Sequence, residues 1–281
     1  MSNRYLHLLL IWLDYALKNH ILIVMSEKKE SQHMKQFQRW QEIVNLLQEY
    51  EYLSVEALAK RLDVSIATIR RDLASLEDNQ LIIRKRGGAK VRKEEVDEPP
   101  LLIRTFKRTN EKETIGKLAA SLIQGHDVIW LDPGTTTLQM IPYICAKDIF
   151  VVTNSIKHIS ALTEKGIQTF VIGGNVKETT QALIGQTTLR MLDEFNFTKC
   201  FVGASGIDNV GGFSTPQMNE GEIKRKVIQR TITPYIVADS SKFNLRAAIT
   251  FARLTDATLI TDKKIKDFDY SQLKFIASEN E

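Results

Sequence analysis

Residues 63–73 constrain what this chain can fold into more than any other segment, because they predict a helix with one buried and one polar face. Ser65 can cap this helix, since its hydroxyl can accept a hydrogen bond from an unpaired amide of the first turn. Apolar residues at helical spacing form the predicted buried stripe: Ile66, Ile69, Leu73 and Leu76. The other face carries small side chains and forked donors near the helix N-terminus, which suit insertion into a DNA major groove. The predicted reading residues are Ser65, Ala67, Thr68, Arg70 and Arg71.

The residues on either side of this helix complete a larger unit. Ser54 can cap a preceding helix, whose apolar stripe consists of Val55, Leu58, Ala59 and Leu62. Only residues 63 and 64 separate the two helices, and so short a connection predicts a helix-turn-helix over residues 53–72. An earlier amphipathic helix, roughly residues 38–50, has Ile43, Leu46 and Leu47 facing inward. Residues 81–83 and 89–91 predict a short hairpin, so the unit is a winged helix-turn-helix.

The distribution of charge favours DNA binding over an ordinary helical hairpin with a solvated basic face. Residues 84–93 contain six Lys and Arg side chains and no acid, and the hairpin turn contributes Arg84, Lys85 and Arg86. Residues 34–93 carry 12 basic against 8 acidic side chains, whereas residues 94–281 carry 22 against 23. The excess positive charge therefore lies on the segment that would face phosphates, as binding to double-stranded DNA requires.

The same segment resembles the DNA-binding domain of the DeoR family of bacterial transcriptional regulators. The resemblance rests on Val64, Ser65, Thr68, Ile69, Arg70, Arg71, Asp72, Leu73, Leu76, Glu77, Arg84, Arg86, Gly87, Gly88 and Ala89. Arg86 stands where the family usually has His, a departure that keeps a positive charge. The resemblance implies a repressor of a carbohydrate-utilisation operon that binds a double-stranded DNA operator. Because helix-turn-helix proteins commonly bind paired half-sites, we also expect a homo-oligomer.

Composition places the chain among globular proteins with more than one domain, since 43% of its 281 residues are hydrophobic and 26% are charged. Cys145 and Cys200 are too far apart for a metal or redox motif. We predict Cys145 in a helix and Cys200 in a buried strand, both as packing residues. Two isolated thiols suit a cytoplasmic protein, and we expect neither a metal site nor a cofactor.

The first 33 residues fall outside this pattern. Apolar runs at residues 8–13 and 21–24 are separated by charged residues, and neither approaches the roughly 20 residues of a membrane span. No signal-peptide cleavage pattern follows them, so we expect no membrane association. We interpret residues 1–33 as an extension translated from a misplaced start, the alternative being a partner-binding helix. For the rest of the chain we predict a DNA-binding domain at residues 34–93, a linker at residues 94–112 and a second domain at residues 113–281.

The second domain has the pattern of an α/β fold. Short apolar runs typical of buried strands occur at residues 128–131, 149–152, 169–172, 199–202, 235–238 and 258–260. Helical patterns fall between most of these runs, at residues 155–162, 187–195 and 219–230. This alternation predicts a largely parallel sheet covered by helices on both faces.

Polar and glycine residues follow the predicted strands, where ligands of parallel sheets bind. Asp132 ends the first strand, and Gly134, Thr135 and Thr136 then offer amides and hydroxyls to an anion at a helix start. Later strand ends carry Thr153, Asn154, Gly173, Gly174, Asp208 and Lys242. Amides for a phosphate, polar groups for hydroxyls and one cation together fit a small phosphorylated sugar or polyol.

These residues also resemble the sensor domain of the DeoR family, which is similar in fold to ribose-5-phosphate isomerase and generally senses sugar phosphates. The resemblance implies a regulator whose operator affinity is controlled by a phosphorylated sugar or polyol effector. The alternative is a sugar-phosphate isomerase with an appended DNA-binding domain, in which Asp132, Asp208 or Lys242 would be acid–base groups. A winged helix serves an isomerase no evident purpose, so we favour the regulator and expect no catalytic residues.

Overall fold

The computed structural model describes residues 36, 38–79, 81–91, 104–105 and 107–278. The chain divides into two compact units, Met1–Lys93 and Glu94–Glu281. The predicted extension at residues 1–33 and most of the predicted linker lie outside the described residues, and the predicted domain limits stay predictions. Among the described residues, no helix is both long and apolar enough to cross a membrane.

The first unit consists of helices and a small antiparallel sheet. Helix α1 covers residues 38–50 and is followed by β1 (Leu53–Ser54), α2 (Val55–Leu62), α3 (Ile66–Asp78), β2 (Ile82–Lys85) and β3 (Gly88–Val91). The strands pair in the order β1-β3-β2. The predicted winged helix-turn-helix is therefore confirmed, although β1 is too short to have been recognised in the sequence.

The core of this unit forms where the apolar stripes of the helices meet. Its fully buried side chains include Ile43, Leu47, Leu58, Ile69 and Leu76. Ile66 is an exception, because 43% of its surface is exposed. It lies in the first turn of α3, where the helix extends beyond the core, so the prediction that it joins the buried stripe is wrong.

The second unit contains twelve strands within the described residues. In chain order they are β4 (Val128–Leu131), β5 (Phe150–Thr153), β6 (Gln168–Val171), β7 (Asn175–Lys177), β8 (Ala182–Ile184), β9 (Phe197–Gly203), β10 (Gly206–Asp208), β11 (Gly212–Thr215), β12 (Thr231–Val237), β13 (Ile249–Ala252), β14 (Thr258–Thr261) and β15 (Phe275–Ala277). Seven of them form the main sheet, in the order β15-β14-β12-β9-β4-β5-β6. Every pair in this sheet is parallel, which confirms the predicted parallel sheet.

Helices and turns cover both faces of the main sheet. The helices are α4 (Thr109–Ser121), α5 (Thr135–Leu138), α6 (Ile156–Glu164), α7 (Gln186–Leu192) and α8 (Met218–Gln229). Successive residues of a strand enter different apolar clusters: Trp130 and Cys200 lie in one, and Leu131 and Phe201 in the other. Two separate cores flank the sheet because neighbouring side chains of a strand point to opposite faces.

Two features of this unit differ from the sequence prediction. The remaining strands form small antiparallel sheets, β7-β8 and β10-β11-β13. Each of these strands has only three or four residues, and β10 and β11 begin with glycine, so the sequence does not show a clear strand pattern. Cys145 is exposed and follows the short turn Ile141–Tyr143, so its predicted helical setting is wrong. Pro142 lies in that turn, and proline prevents the turn from continuing a longer helix. Cys200 lies buried in β9, as predicted.

Candidate nucleic-acid interface and effector site

The outer face of α3 presents a mixture of arginines and small or apolar side chains. Among its predicted reading residues, those that are exposed on this helix are Ala67, Arg70 and Arg71. The Ser65 hydroxyl accepts a hydrogen bond from the Thr68 amide at 3.1 Å, which is the predicted cap. The two hydroxyls of this pair lie 2.8 Å apart, so both side chains are engaged in starting the helix. The exposed Ile66 adds an apolar side chain to the face, and such side chains suit contact with thymine methyl groups.

The inner face of α3 is held by a buried carboxylate, Asp72, which the sequence analysis names only as part of the family resemblance. Asp72 is only 1% exposed and accepts hydrogen bonds from Arg39 Nε at 2.5 Å and Arg39 Nη2 at 3.1 Å. The indole Nε1 of Trp40 donates to the same carboxylate at 2.9 Å. The hydrogen bond to Asp72 raises the pKa of Arg39. Helix α1 therefore holds α3 through a charged contact as well as through apolar packing.

The basic turn predicted beside α3 is the turn of the β2–β3 hairpin. Lys85 pairs with Gly88, which leaves Arg86 and Gly87 as the turn, and Gly87 has a φ of 81° that suits glycine. The Tyr52 hydroxyl donates to the Arg86 carbonyl at 3.3 Å, which attaches the turn to the segment between α1 and β1. The predicted wing residues are all exposed: Arg84, Lys85 and Arg86. The guanidinium of Arg84 lies 3.7 Å from the Glu77 carboxylate. Of the three wing residues, Arg84 is therefore the least available for contact with a DNA phosphate.

The second candidate site lies where the strand order of the main sheet reverses. The chain leaves β4 through β5 and β6 on one side and returns through β9 and β12 on the other side. Ligands of such sheets bind outside the carboxyl ends of the strands at this reversal. Asp132 directly follows β4, and Gly203 is the last residue of β9. The predicted Asp132 therefore lies at the switch point of the sheet.

A buried ion pair occupies this position. Lys224 of α8 donates from Nζ to Asp132 Oδ2 at 2.5 Å and to the Gly203 carbonyl at 2.9 Å. The Gly203 amide donates to the same Oδ2 at 3.1 Å. Burial raises the pKa of Asp132, and the neighbouring Lys224 and the Gly203 amide oppose that rise. None of these bonds uses Asp132 Oδ1.

The loop after β4 contains the predicted phosphate-binding residues. Gly134 precedes the short helix α5, Thr135 is buried and Thr136 is half-buried. The Thr137 hydroxyl donates to the carbonyls of Asp132 at 2.6 Å and Gly134 at 2.9 Å, which holds the loop from its carbonyl side. The amides of residues 134–136 belong to a first turn, and a first turn has no intrahelical acceptors for them.

His158 of α6 contacts the same loop after β4. Its Nε2 lies 3.3 Å from the Gly134 carbonyl, and the side chain is 1% exposed. Burial lowers the pKa of His158 to about 4, so the ring is neutral near pH 7 and can donate to this carbonyl. Its Nδ1 is buried and has no hydrogen-bond partner among the described residues.

Thr153 ends β5 and Asn154 follows it, and the two differ in what they offer a ligand. The Thr153 hydroxyl donates to the Leu131 carbonyl at 2.6 Å and accepts from the Ser155 amide at 3.1 Å, so it is used within the scaffold. Asn154 is 1% exposed, and its Nδ2 donates to the Leu183 carbonyl at 2.8 Å. Its Oδ1 is buried without a partner among the described residues. Because an unpaired buried oxygen is costly, Asn154 Oδ1 suits a hydrogen bond from a ligand hydroxyl.

The predicted glycine pair after β6 has a packing role in the structure. The Gly173 carbonyl accepts a hydrogen bond from the Thr188 hydroxyl of α7 at 2.9 Å. A Cβ at Gly174 would overlap the same hydroxyl and come within 2.7 Å of the Ile184 carbonyl. The pair therefore allows the β8–α7 segment to approach the end of β6.

Asp208 lies in the small antiparallel sheet, at the turn between β10 and β11. Its Oδ1 accepts hydrogen bonds from the amides of Val210 at 2.9 Å and Gly211 at 2.5 Å, and from the guanidinium of Arg246. The Gly211 amide and the Arg246 charge lower the pKa of Asp208. The Asp208 carboxylate therefore stabilises the β10–β11 turn and forms an ion pair with Arg246. Among the described residues, no contact joins Asp208 to Asp132.

Lys242 follows β12 in a short turn that acidic residues hold in place. The Asp239 carboxylate accepts from the Ser241 amide at 3.0 Å, and Asp262 accepts from the Ser240 amide at 2.6 Å. Burial lowers the pKa of Lys242, the Asp239 charge raises it, and the charges of Arg104, Arg108 and Lys107 lower it further. Lys242 is therefore one cation of several, rather than the single cation that the sequence predicts.

Glu220 connects these cations to the switch point. It lies in the first turn of α8 and accepts from Lys177 Nζ at 2.9 Å and from the Thr180 hydroxyl at 3.2 Å. Burial raises the pKa of Glu220, but the charges of Lys224, Lys177 and Arg104 bring it below its usual value. Charged groups on α8, in the turns after β4 and β12, and in the segment before α4 thus lie close enough to influence one another electrostatically.

Sequence reasoning missed Glu220 and Lys224 because their separation of four residues is also typical of an exposed ion pair on a helix. Gly221, which lies between Glu220 and Lys224 in the sequence, is the residue that indicates that this part of the helix is buried. A Cβ there would lie 2.7 Å from Ile249 Cγ2, so this turn of α8 packs closely against β13. A glycine in a predicted helix indicates such a close approach.

Comparison with known proteins gives matches over most of the chain. The model of the DeoR-like helix-turn-helix domain matches residues 39–95, and that of the DeoR C-terminal sensor domain matches residues 107–263. The chain is 38% identical to the uncharacterized HTH-type transcriptional regulator FruR of Bacillus subtilis, over 85% of this chain and 96% of that protein. It is 30% identical to the glycerol-3-phosphate regulon repressor of Escherichia coli, over 79% of this chain and 88% of that protein.

Solved structures give weaker matches. A ribose-5-phosphate isomerase in complex with phospho-erythronic acid is 18% identical, with a TM-score of 0.37, over 48% of this chain and 54% of that one. The family models and the similar curated proteins are transcriptional regulators rather than enzymes. The isomerase alternative is therefore set aside.

Proposed function

We propose that this chain, which belongs to the DeoR family of DNA-binding transcriptional regulators, is a repressor of a carbohydrate-utilisation operon. Its operator affinity would change when a phosphorylated sugar or polyol binds at the switch point of the sensor sheet. The exposed reading face of α3 and the exposed wing arginines support the DNA-binding half of this proposal. Exposed cations beside a helix that presents small side chains suit phosphate and base contacts at once.

One observation carries the effector half of the proposal. At the carboxyl edge of one sheet, Asn154 Oδ1 has no partner among the described residues and would accept from a ligand hydroxyl. Asp132 Oδ1, which takes no part in the bonds to Lys224 and Gly203, would be a second acceptor, and Lys242 would offer a cation for a phosphate. The amides of residues 134–136 would bind the same phosphate, since backbone amides at a helix start favour anions. A phosphorylated polyol supplies both hydroxyl donors and an anion, whereas an unphosphorylated sugar lacks the anion.

The test needs an operator and a panel of small molecules. Selection from a random pool of double-stranded DNA gives the operator, and thermal unfolding with pentose phosphates, hexose phosphates and glycerol 3-phosphate gives the effector. Each compound is paired with its unphosphorylated counterpart as the control. We expect one phosphorylated compound to raise the melting temperature and to change operator affinity, since a ligand that binds the folded state stabilises it. If no phosphorylated compound does either, the effector class is wrong.

The same preparation tests the predicted homo-oligomer. Sedimentation of the protein with and without operator measures its assembly state directly. We expect at least a dimer on a paired half-site, because one helix-turn-helix reads one half-site. A monomer bound to a single half-site would contradict this prediction.

A further inference from the structure

The first turn of helix α3 exposes an isoleucine that the core of its own unit does not cover. Ile66 is the first residue of this helix, and 43% of its surface is exposed although helical spacing predicts it to be buried. Ile69, three residues further along, is completely buried, so the core ends between these two residues. An isoleucine in this position adds little to the stability of the unit, because much of its apolar surface stays in water and alanine is a better helix former. Ile66 therefore offers an apolar surface for a contact outside the unit.

The neighbours of Ile66 indicate the kind of partner that this surface fits. Ile66 and Arg70 are four residues apart, as are Ala67 and Arg71, so the four side chains share one face of the helix. All four are exposed. Asp72, the acid beside Arg71 in the sequence, is buried and paired with helix α1, so it does not neutralise this face. Exposed arginines next to apolar side chains suit the major groove of DNA, which combines negative charge with apolar groups on its base edges.

The polar side chains at the start of α3 are engaged with each other, which leaves apolar side chains for contact with bases. Ser65 Oγ accepts from the Thr68 amide at 3.1 Å and lies 2.8 Å from the Thr68 hydroxyl. The exposed side chains of the first turn are then Ile66 and Ala67. Recognition helices of helix-turn-helix proteins contact base edges with their N-terminal residues. In the major groove, the apolar group available to such side chains is the 5-methyl of thymine.

We propose that Ile66 determines operator specificity by packing against the 5-methyl group of one thymine in each half-site. This inference rests on the proposed function, because it takes α3 to be the DNA-reading helix. Arg70 and Arg71 would supply hydrogen bonds from the same face, and arginine pairs best with guanine. Ile66 disfavours cytosine at its position, since cytosine lacks the methyl group and presents an amino group where thymine has a carbonyl.

The experiment compares thymine with uracil, because the two bases differ only by the 5-methyl group. Each thymine of the selected operator is replaced in turn by uracil, and the affinity of the full-length protein is measured at constant salt. We expect one position in each half-site at which uracil weakens binding of the wild-type protein about fourfold, as for one methyl group returned to water. At that position Ile66→Ala should bind the two operators equally, because the methyl group has lost its partner. Ile66→Val keeps a branched side chain and should retain part of the preference.

Two controls separate a lost base contact from a misfolded domain. Ile66→Ala should bind scrambled DNA as tightly as the wild-type protein does, since contacts to phosphates carry no sequence information. Ile156→Ala is the matched variant, because Ile156 is also the first residue of a helix and is 38% exposed, but it lies in the other unit. Its operator affinity and its response to uracil should equal those of the wild-type protein.

The outcomes separate this proposal from the one on which it rests. If selection from the DNA pool yields no preferred sequence, the proposed function is wrong and Ile66 has no base to read. If an operator is found but uracil is tolerated at every position, or if Ile66→Ala keeps the uracil effect, operator binding stands and the role of Ile66 is wrong. If Ile66→Ala lowers the assembly state of the DNA-free protein in sedimentation, Ile66 belongs to a contact between two copies of the chain, which also overturns the proposal.

Discussion

Asp72 is a buried charged residue that orients helix α3. Both of its oxygens are paired with Arg39, and Trp40 adds a third donor. All of the partners lie on α1, so the contact sets the orientation of α3 against its neighbour. Buried ion pairs often add little net stability but leave a costly unpaired group when one partner is removed.

We therefore expect Asp72→Asn to lower both stability and operator affinity. The substitution keeps the shape but turns a charge-assisted network into one with a mismatched donor, at a cost of about 1–3 kcal/mol in unfolding free energy. Urea unfolding measures the first effect, and an operator titration below the unfolding midpoint measures the second. The matched control is Asp78→Asn, because Asp78 is exposed on the same helix. Equal behaviour of the two variants would show that Asp72 does not position the reading helix.

His158 gives the sensor domain a stability that depends on pH. Its folded-state pKa is about 4, below the usual value near 6.5, because burial disfavours the charged ring. The unfolded chain therefore binds a proton more readily, and the stabilising contribution is present above about pH 6.5 and lost as the pH falls toward 4. The loss amounts to about 3 kcal/mol when it is complete.

Replacing this histidine should remove that part of the pH dependence. We expect His158→Gln to be less stable than the wild-type protein at pH 7 and to lose less stability between pH 7 and pH 4.5. Urea unfolding at several pH values gives the two curves. His126→Asn provides the control, since His126 is exposed and has a φ of 67° that asparagine tolerates. Parallel curves for the wild-type protein and His158→Gln would contradict the assignment.

At the scale of elements, helix α3 and the wing are expected to contribute different kinds of binding. Arg71→Ala should remove a contact to a base edge, which costs about 1–3 kcal/mol on the operator and little on unrelated DNA. Arg86→Ala should weaken binding to all sequences and reduce the slope of log affinity against log salt by about one. Titrations on operator and scrambled DNA at several salt concentrations separate the two effects. Unchanged operator binding in both variants would contradict the assigned reading helix and wing.

The elements differ in how far their sequence predicts them, and the reason is physical. Strand β4 matches its predicted limits at residues 128–131, because a strand buried on both faces needs a continuous apolar run. The prediction that Ile66 is buried is wrong, because helical periodicity gives the direction of a side chain but not the point at which the core ends. The partnership of Lys224 with Asp132 joins residues 92 positions apart, and no local pattern encodes such a contact. The sequence thus predicts that the candidate site lies at the strand ends, but it does not predict which distant charged residues pair with the site residues.

For the whole molecule, regulation requires that effector and operator affinity be linked through the chain. If an effector changes operator affinity by some factor, the operator must change effector affinity by the same factor. Measuring effector affinity with and without operator therefore tests the coupling without any mutation.

The variant Thr135→Asp tests the coupling from the sensor side. Thr135 is 8% exposed in the loop whose amides would bind the phosphate, and a fixed carboxylate there would repel a second anion strongly in so confined a site. We expect the variant to bind operator as the wild-type protein does but not to respond to the effector, because the predicted DNA-reading residues belong to the other unit. Thr135→Asn has the same size without the charge, so it should keep most of the response and separates steric from electrostatic effects. A normal effector response of Thr135→Asp in an operator titration would place the phosphate away from residues 134–136 and would contradict the predicted phosphate site.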